Sequence, residues 1–562
     1  MTEPPTDGSG DIKTVGGAHG AVVAAAARVW TRIVEHKVAQ WLLAYVAFGY
    51  ACLHMVQMLT EAFAWHTVVM RLTTVALIAG IPLAVTLAWF LHKSTKSGAA
   101  PVALAPPEKS IAVLPFVDMS ESKDQEYFSD GLADELIGLL TQVPELRVPA
   151  RTSSFYFKGK QAKIDEIAQA LHVAHVLEGS VRKSGTTVRI TVQLIRVDTG
   201  YHLWSQTFDR TLDDIFKVQD EIAGAVVSAL SVTLLHAVLP ARAAEPNAEA
   251  YQLYLRGRFH WNRRTPEDFR EAVVFFQEAI AVDPNYSLAY TGLADCYGLL
   301  PIYDPTARAV DTMPQAKEAI LRALALGDNS AEAHASLGLI LGIFDFDWAG
   351  AERQFQRAIE LSPNAAVPRQ RYGQILVNTG RIEQGLAEGR RAVELDPLSQ
   401  VVNLSLGIEL NAARHYDEAI AQLHQTLKIG KNFADTNYFL FEAYANKEQY
   451  QEAVAVYVHQ KRLEGESAEA VDAMTAAFAR DSWPGFLRQR IGVLEAEQHS
   501  VPEEVASFYA RLGESDRAFA WLEKSYANRS ARLTLLKVDP RYDNLRADPR
   551  FTDLLNRIGL QS

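Results

Sequence analysis

Residues 372–405 read YGQILVNTGRIEQGLAEGRRAVELDPLSQVVNLS, residues 406–439 read LGIELNAARHYDEAIAQLHQTLKIGKNFADTNYF, and residues 440–460 continue as LFEAYANKEQYQEAVAVYVHQ. Written one under the other, these lines align apolar residues at an interval of 34 positions; Gly373, Gly407 and Phe441 form one column. A 34-residue period with paired helical patterns is typical of a solenoid of helix–turn–helix repeats. One helix pair cannot bury its apolar face alone, so we expect neighbouring pairs to stack and share a core.

The pattern continues on both sides of this stretch. Leu337 and Phe355 occupy the same kind of positions in an earlier repeat, and Tyr509 and Leu522 in a later one. Residues 248–562 therefore resemble a tetratricopeptide array of about seven repeats with a C-terminal cap. That resemblance implies an all-α solenoid that binds other proteins or peptides in a concave groove.

Composition bounds the rest of the chain. With 562 residues the protein is too long for one hydrophobic core, so we expect several domains. The net charge of −12 argues against general attraction to nucleic acid. The two distant cysteines, Cys52 and Cys296, provide neither a disulfide framework nor the spacing of a zinc site.

Two apolar segments lie near the amino terminus. Val38–Leu59 and Val68–Leu91 are almost uncharged, and each is long enough to cross a hydrocarbon core of about 30 Å as a helix. We therefore predict a two-helix transmembrane hairpin within residues 38–92, with a buried soluble hairpin as the alternative. Residues 1–37 are expected to be disordered or amphipathic, and residues 93–109 a linker rich in Pro and Ala.

The charges beside these segments predict their orientation. Arg28, Arg32 and Lys37 precede the first segment and Lys93 and Lys96 follow the second, whereas the connection between them has no Lys or Arg. Basic residues favour the cytoplasmic side of a membrane. The expected location is thus the bacterial inner membrane, multi-pass, with the hairpin in the lipid bilayer and the soluble domains in the cytoplasm.

Residues 110–236 have the pattern of a compact α/β domain. Ile111–Phe116 is a short apolar run typical of a buried strand, and Val188–Leu194 alternates apolar and polar residues as a half-buried strand does. Turn residues on both sides of the second run predict three antiparallel strands. Amphipathic helical patterns precede and follow these strands.

This domain resembles the TolB amino-terminal-like family. The resemblance rests on SIAVLPFVDMS from Ser110, YFSDGLADELIGLL from Tyr127, VLEGSVRK from Val176 and VRITVQLIRVDTGYHLWSQTFDR from Val188. It implies an α/β binding or assembly module without known chemistry. Relatives often have a winged-helix domain, a kinase or a nucleotide cyclase before it, and residues 1–37 are too short for such a module.

No catalytic or cofactor-binding pattern stands out. The glycine-rich run Gly16–Gly20 has no strand before it and is a weak match to a phosphate-binding loop. His172, His175 and His202 do not have the spacing of a metal site. We therefore expect no enzyme activity, no cofactor and no metal.

The run RGRFHWNRR, Arg256–Arg264, combines arginines with aromatic residues. Such a cluster suits single-stranded nucleic acid or an anionic partner. The alternative is a repeat helix in which Tyr254 and Trp261 pack while the arginines stay in water. The acidic net charge favours that alternative, and no nucleic-acid partner is expected.

The candidate binding surface is the concave groove of the three regular repeats. First-helix positions that the repeat pattern does not use for packing line such a groove, and amide side chains there suit an extended peptide. These positions are Gln370, Gln374, Asn378, Asn411, Tyr438, Glu442 and Asn446. The alternative is that the protein's own C-terminal segment fills the groove.

The sequence thus predicts a non-catalytic, membrane-anchored adaptor that binds other proteins in signalling or envelope assembly. Two alternatives stay open. One is a regulator that works with a transcriptional or nucleotide-cyclase partner chain. The other is a periplasmic assembly factor with the same domains.

Overall fold

A computed structural model describes residues 106–184, 187–211, 215–230, 247–304, 306–327, 329–430, 434–496 and 501–561, together with His54. Residues 106–561 belong to one compact unit. Within this unit an α/β domain comes first along the chain, and an array of paired helices follows it.

The predictions about the membrane are corrected. Among the described residues, no helix is both long and apolar enough to cross a bilayer. This finding contradicts two predictions for the part of the chain that the structure describes. The fold class with a two-helix transmembrane hairpin is wrong there, and so is the multi-pass inner-membrane location. The segment on which both rested, residues 38–92, lies outside that part except for His54.

The α/β domain is built on one mixed sheet. The strands are β1 (Ile111–Val113), β2 (Val117–Asp118), β3 (His175–Ser184), β4 (Thr187–Arg196) and β5 (His202–Thr211). Their order is β1-β3-β4-β5, and both β1 and β2 pair with β3 in parallel. The antiparallel arrangement of β3, β4 and β5 agrees with the three antiparallel strands expected from the sequence.

Helices cover the sheet because alternate strand residues are apolar. On β4, Val188, Ile190, Val192 and Leu194 are all fully buried. The helices are α1 (Glu126–Thr141), α2 (Arg151–Phe155), α3 (Ile164–Leu171) and α4 (Ile215–Ala229). The four β4 residues share one hydrophobic cluster with side chains of α1 and α4, whereas α3 packs in a separate cluster with Val176.

The array consists of helix pairs, each made of two consecutive helices that pack on each other. Pairs 1 to 3 are α5 (Ala248–Trp261) with α6 (Pro266–Val282), α7 (Ser287–Tyr303) with α8 (Ala309–Ala325), and α9 (Ala331–Ile340) with α10 (Trp348–Leu361). Pairs 4 to 6 are α11 (Ala366–Asn378) with α12 (Ile382–Leu395), α13 (Gln400–Ala412) with α14 (Tyr416–Ile429), and α15 (Ala434–Asn446) with α16 (Tyr450–Leu463). The long helix α17 (Ala468–Leu494) precedes pair 7, α18 (Pro502–Arg511) with α19 (Ser515–Ala527).

Small residues allow the helices of a pair to approach closely. A Cβ atom at Gly407 on α13 would lie 2.6 Å from a terminal methyl of Leu423 on α14. A Cβ atom at Gly373 would lie 2.9 Å from the carbonyl oxygen of Gly385 in the partner helix. The glycines of the 34-residue pattern therefore have a packing role.

The last part of the chain, residues 531–561, returns to the middle of the array and is called the C-terminal segment below. It contains two 3-10 turns, Ala531–Leu535 and Pro540–Leu545, and the helix α20 (Pro549–Arg557). The indole nitrogen of Trp348, in pair 3, donates a 2.7 Å hydrogen bond to the carbonyl oxygen of Ile558. The segment therefore spans the distance from pair 7 back to pair 3.

The α/β domain packs against the turns of pairs 3 and 4. The Asn364 amide donates to the carbonyl oxygens of Val143 at 3.2 Å and Leu146 at 3.0 Å. The Ser153 amide donates to the Asp396 carboxylate at 3.1 Å. Because these buried groups bond across the boundary, domain and array form one continuous structure.

Candidate protein-binding surfaces

The residues predicted to line a binding groove lie on the first helices of pairs 4 to 6. Gln370, Gln374 and Asn378 are on α11, Asn411 is on α13, and Tyr438, Glu442 and Asn446 are on α15. All are buried except Gln374 and Asn446, which are partly exposed. The repeat pattern thus places them on corresponding helices, but not on an open surface.

Two of the hydrogen bonds join these side chains to neighbouring pairs. The Gln370 amide donates to the Ser405 hydroxyl at 2.6 Å. The Asn446 amide donates to the Asn411 side-chain oxygen at 3.2 Å. These polar residues hold the repeats in register, which is a structural role.

Other hydrogen bonds join the same residues to later parts of the chain. Asn378 donates to the Thr534 hydroxyl at 3.2 Å, and Arg541 donates to the Tyr438 hydroxyl at 2.8 Å. The C-terminal segment therefore covers the predicted groove, as the alternative reading of the sequence had it. Binding of another protein by these seven residues stays a prediction.

Arg511 of pair 7 also contacts this surface. Its guanidinium donates to Glu442 at 2.7 Å and to the Asn446 side-chain oxygen at 2.6 Å.

A cavity of about 20 Å³ remains next to Glu442, Asp539 and Arg541, which is room for roughly one water molecule. Burial raises the pKa of the Tyr438 phenol well above its ordinary value, so this hydroxyl stays protonated.

A second polar surface is formed by the first helices of pairs 1 and 4 and the turn that follows α5, and its centre is the aromatic–basic run noted in the sequence. Tyr254 and Trp261 are buried, as one reading of that run expected. The arginines, however, are not simply in water, because the Arg258 side chain is only 14% exposed. Arg264 and Arg371 are also partly buried. We call Arg258, Trp261, Arg264 and Arg371 the donor cluster.

Within the donor cluster, aromatic and cationic groups are stacked. The Arg264 guanidinium carbon lies 3.7 Å from the centroid of the Trp261 ring, and that of Arg258 lies 4.7 Å from it. Cations attract the face of an indole ring, so both contacts are favourable. The Trp261 indole nitrogen is buried and has no hydrogen-bond acceptor among the described residues.

The arginines of the cluster differ in their partners. Arg258 pairs with Asp134 of the α/β domain at 3.1 Å and with Glu332 of pair 3. In the described part of the chain, Arg264 forms no ion pair, and Arg371 bonds only to the carbonyl oxygen of Ala335, at 3.3 Å. Two guanidinium groups therefore have spare donors.

The pKa values of the three arginines follow from this difference in partners. Burial lowers the pKa of both Arg264 and Arg371, because their nearby carboxylates do not compensate the lost hydration. Burial is also the largest influence on Arg258 and opposes its charge, but Glu332, Tyr254 and Asp134 together outweigh burial and raise the pKa of Arg258. An anion beside Arg264 or Arg371 would supply the missing compensation.

Sequence reasoning found only part of this cluster. Trp261 and Arg264 belong to a visible motif, whereas the two repeats that follow Arg371 have Ser405 and Phe439 at the equivalent position. No local signal marked it. Only the stacking of helices brings it near the motif.

The described residues do not form a metal site as an alternative to these protein-binding surfaces. No group of three or more His, Cys, Asp or Glu side chains among them is placed to hold a metal ion. The thiol of Cys296 is buried, and burial raises its pKa well above the ordinary value. A protonated, inaccessible thiol is a packing group.

Comparisons with known proteins match both parts of the chain. Residues 107–225 match the family described as "HilA/YgeH-like transcriptional regulator, second domain". The chain is 35% identical over 238 residues to the "Putative adenylate cyclase 3" of Rhizobium meliloti (strain 1021), covering 42% of this chain and 40% of that protein. It is 25% identical over 307 residues to the transcriptional regulator HilA of Salmonella typhimurium, covering 53% of this chain and 52% of that protein. The chain thus spans about half or less of the length of these relatives.

Solved structures with similar helices include tetratricopeptide proteins. The protein YrrB, described as having an unusual peptide-binding site, is 19% identical to this chain with a TM-score of 0.25. The match covers 34% of this chain and 91% of the YrrB chain. The type IV pilus biogenesis factor PilW is 18% identical with a TM-score of 0.32 and covers 40% of this chain and 97% of its own. The helix pairs at a 34-residue interval confirm the predicted tetratricopeptide-type fold.

Proposed function

We propose that this chain is a non-catalytic adaptor that binds another protein in signalling. Its helix pairs hold the partner, and the α/β domain is fixed beside them. The resemblance of residues 110–236 to TolB amino-terminal-like domains, as binding or assembly modules, is part of this proposal. The fold itself supports protein binding, since solenoids of this kind present extended concave surfaces.

One observation carries the proposal. The array already holds an irregular polypeptide, its own C-terminal segment, against the first helices of pairs 4 to 6 by side-chain hydrogen bonds such as Arg541 to Tyr438 and Asn378 to Thr534. The donor cluster is a comparable polar surface, in which the Trp261 indole N–H has no acceptor in the described chain and Arg371 bonds only to a carbonyl oxygen. That surface is the proposed place for another protein.

A photo-crosslinking experiment tests the proposal. Tyr303 ends α7 and contributes to the electrostatic surroundings of both Arg264 and Arg371. Replacing Tyr303 by p-benzoylphenylalanine keeps an aromatic side chain there, and the same replacement of Leu321, half exposed on α8, is the control. We expect one protein, identified by mass spectrometry, to be linked through position 303 and not through position 321. Equal labelling from both positions, or none, would contradict the proposal.

A more specific version is favoured by the comparisons. The matches to a transcriptional regulator and to a putative adenylate cyclase support a regulator whose partner chain supplies the DNA-binding or cyclase module. The cross-linked protein should then contain such a module. Sequence-selective DNA binding by this chain alone, in a gel shift at physiological salt, would instead indicate that it reads DNA directly.

A further inference from the structure

The donor cluster has more hydrogen-bond donors than acceptors. Arg264 forms no ion pair in the described chain, the Trp261 indole nitrogen has no acceptor there, and Arg371 bonds only to a carbonyl oxygen. A buried donor without an acceptor, such as the Trp261 indole N–H, costs about 1–3 kcal/mol. A surface that places this N–H beside two partly exposed guanidinium groups with spare donors is complementary to a ligand rich in acceptors.

The neighbouring carboxylates do not supply the hydrogen-bond acceptors that these donors lack. Asp134 is shared between Arg258 and Arg151, at 3.1 and 3.6 Å. Glu332 pairs with Arg258, and Asp295 accepts a hydrogen bond from the Ser336 hydroxyl. Each carboxylate near the cluster is therefore already bonded to another group.

We propose that the donor cluster binds carboxylate side chains of an acidic segment in the partner protein, a claim that rests on the proposed function and adds the chemistry of the partner. Guanidinium groups match the planar geometry of carboxylates and bind them with two hydrogen bonds. The Trp261 ring packs against the Arg264 guanidinium and restricts its position, and the Trp261 N–H is a further donor. Nucleic acid is the less favoured polyanion, because the Trp261 ring is only 9% exposed and offers no open face on which a base could stack.

The test uses the 562-residue chain and a fluorescein-labelled oligoglutamate peptide, with an oligoglutamine peptide of the same length as the uncharged probe. Fluorescence anisotropy at physiological salt measures binding. We expect the wild-type chain to bind oligoglutamate and not oligoglutamine. Arg264→Gln and Arg371→Gln should each weaken oligoglutamate binding by roughly tenfold or more, the loss expected for one charge-assisted hydrogen bond.

Two further variants keep the result interpretable. Arg353→Gln removes the same charge from an exposed position of α10 and should leave the affinity unchanged. Arg264→Lys keeps the charge but loses the planar fork, so its affinity should lie between those of wild type and Arg264→Gln. Circular dichroism melting of each variant shows whether it is folded, and a variant that does not fold is replaced by Arg371→Lys.

Each contrary result has a distinct meaning. Equal weakening by Arg353→Gln would show a general charge effect and overturn the inference. Tighter binding of a single-stranded oligonucleotide than of oligoglutamate would assign the cluster to nucleic acid and overturn it as well. If oligoglutamate does not bind but Tyr303 cross-links a protein without an acidic segment, the inference fails and the proposed function stands. If Tyr303 links no protein, the proposed function fails whatever the peptide does.

Discussion

The Ser153 amide donates a 3.1 Å hydrogen bond to the carboxylate of Asp396, across the boundary between the α/β domain and the helical array. The Ser153 hydroxyl donates to the same carboxylate oxygen, and Asp396 is only 1% exposed. One buried acid thus accepts two donors from the other domain. The stability of this junction therefore includes a contribution that changes with the protonation state of Asp396.

That dependence gives the first prediction. Burial raises the pKa of Asp396 from 3.8 to about 6, although the Ser153 hydrogen bonds act in the opposite direction. Because the folded pKa is raised, the linked stability is fully present below 3.8 and is lost as pH rises through about 6. The free energy of unfolding of wild type should fall relative to Asp396→Asn by roughly 3 kcal/mol across this window. Urea unfolding of both proteins at a series of pH values measures it, and a constant difference would refute the prediction.

The second prediction concerns Glu409 on α13. Its side chain is 1% exposed, neither carboxylate oxygen has a hydrogen-bond partner among the described residues, and burial raises its pKa well above 4.5. The stability linked to its proton is present below 4.5 and is lost as pH rises towards the raised pKa. Glu409→Met removes this unsatisfied group and should raise the free energy of unfolding by about 1–3 kcal/mol at mildly alkaline pH.

For this second variant the informative measurement is again denaturation as a function of pH. The gain of Glu409→Met over wild type should grow from acidic to alkaline pH. Glu409→Gln, which keeps the shape but does not titrate, should show the same trend with a smaller gain. A gain that is independent of pH would mean that Glu409 does not titrate differently in the folded and unfolded chains.

The third prediction concerns close packing inside a pair. Gly407→Ala places a methyl group 2.6 Å from the Leu423 side chain and should lower the free energy of unfolding by about 1–3 kcal/mol. Gly492 on α17 is the matched control, since a Cβ atom there meets nothing within 4 Å. Gly492→Ala should be neutral or stabilise by up to about 1 kcal/mol. Thermal melting of the two variants compares them directly, and an equal loss in both would argue against helix contact as the cause.

The fourth prediction concerns the attachment of the C-terminal segment. Arg541 is 4% exposed at its side chain and bonds to Asp539 at 2.6 Å and to Tyr438 at 2.8 Å. Arg541→Met leaves Asp539 buried without its cation and should cost about 3–5 kcal/mol. Arg550, with a side chain 48% exposed, forms surface ion pairs, and Arg550→Met should cost at most about 1 kcal/mol.

Limited proteolysis distinguishes these two variants. Loosening of the segment in Arg541→Met should make residues 531–561 the first to be cut, whereas Arg550→Met should resist protease as wild type does. Cleavage elsewhere in the array, with the segment intact, would show that Arg541 acts on global stability and not on this attachment.

The sequence alone predicted those parts of the fold that depend on contacts between neighbouring elements. The interval of 34 residues predicted helix pairs that stack and share a core, because each repeat contacts only its neighbours. Alternation in Val188–Leu194 predicted β4, because one face of that strand is buried. Both signals arise from neighbours that are close in sequence or fixed in register.

The rest depends on contacts between distant residues. Arg541 and Tyr438 are 103 positions apart, and no local pattern indicates that one covers the other. For that reason the repeat pattern placed Asn378 and Tyr438 on the right helices, whereas their cover by the C-terminal segment was expected only as the alternative. Hydropathy likewise predicted a transmembrane hairpin, and no described helix has the length and apolarity to span a bilayer.

The return of the C-terminal segment to pair 3 has a consequence for biosynthesis. Leu533, Tyr542, Leu554 and Ile558 complete the hydrophobic cluster that contains Trp348 and Phe441. A ribosome makes pairs 3 to 6 well before it makes these residues, so the nascent array exposes an unfinished apolar face during translation. Any product interrupted before residue 531 would keep that face exposed, and quality-control chaperones and proteases would recognise it as incomplete.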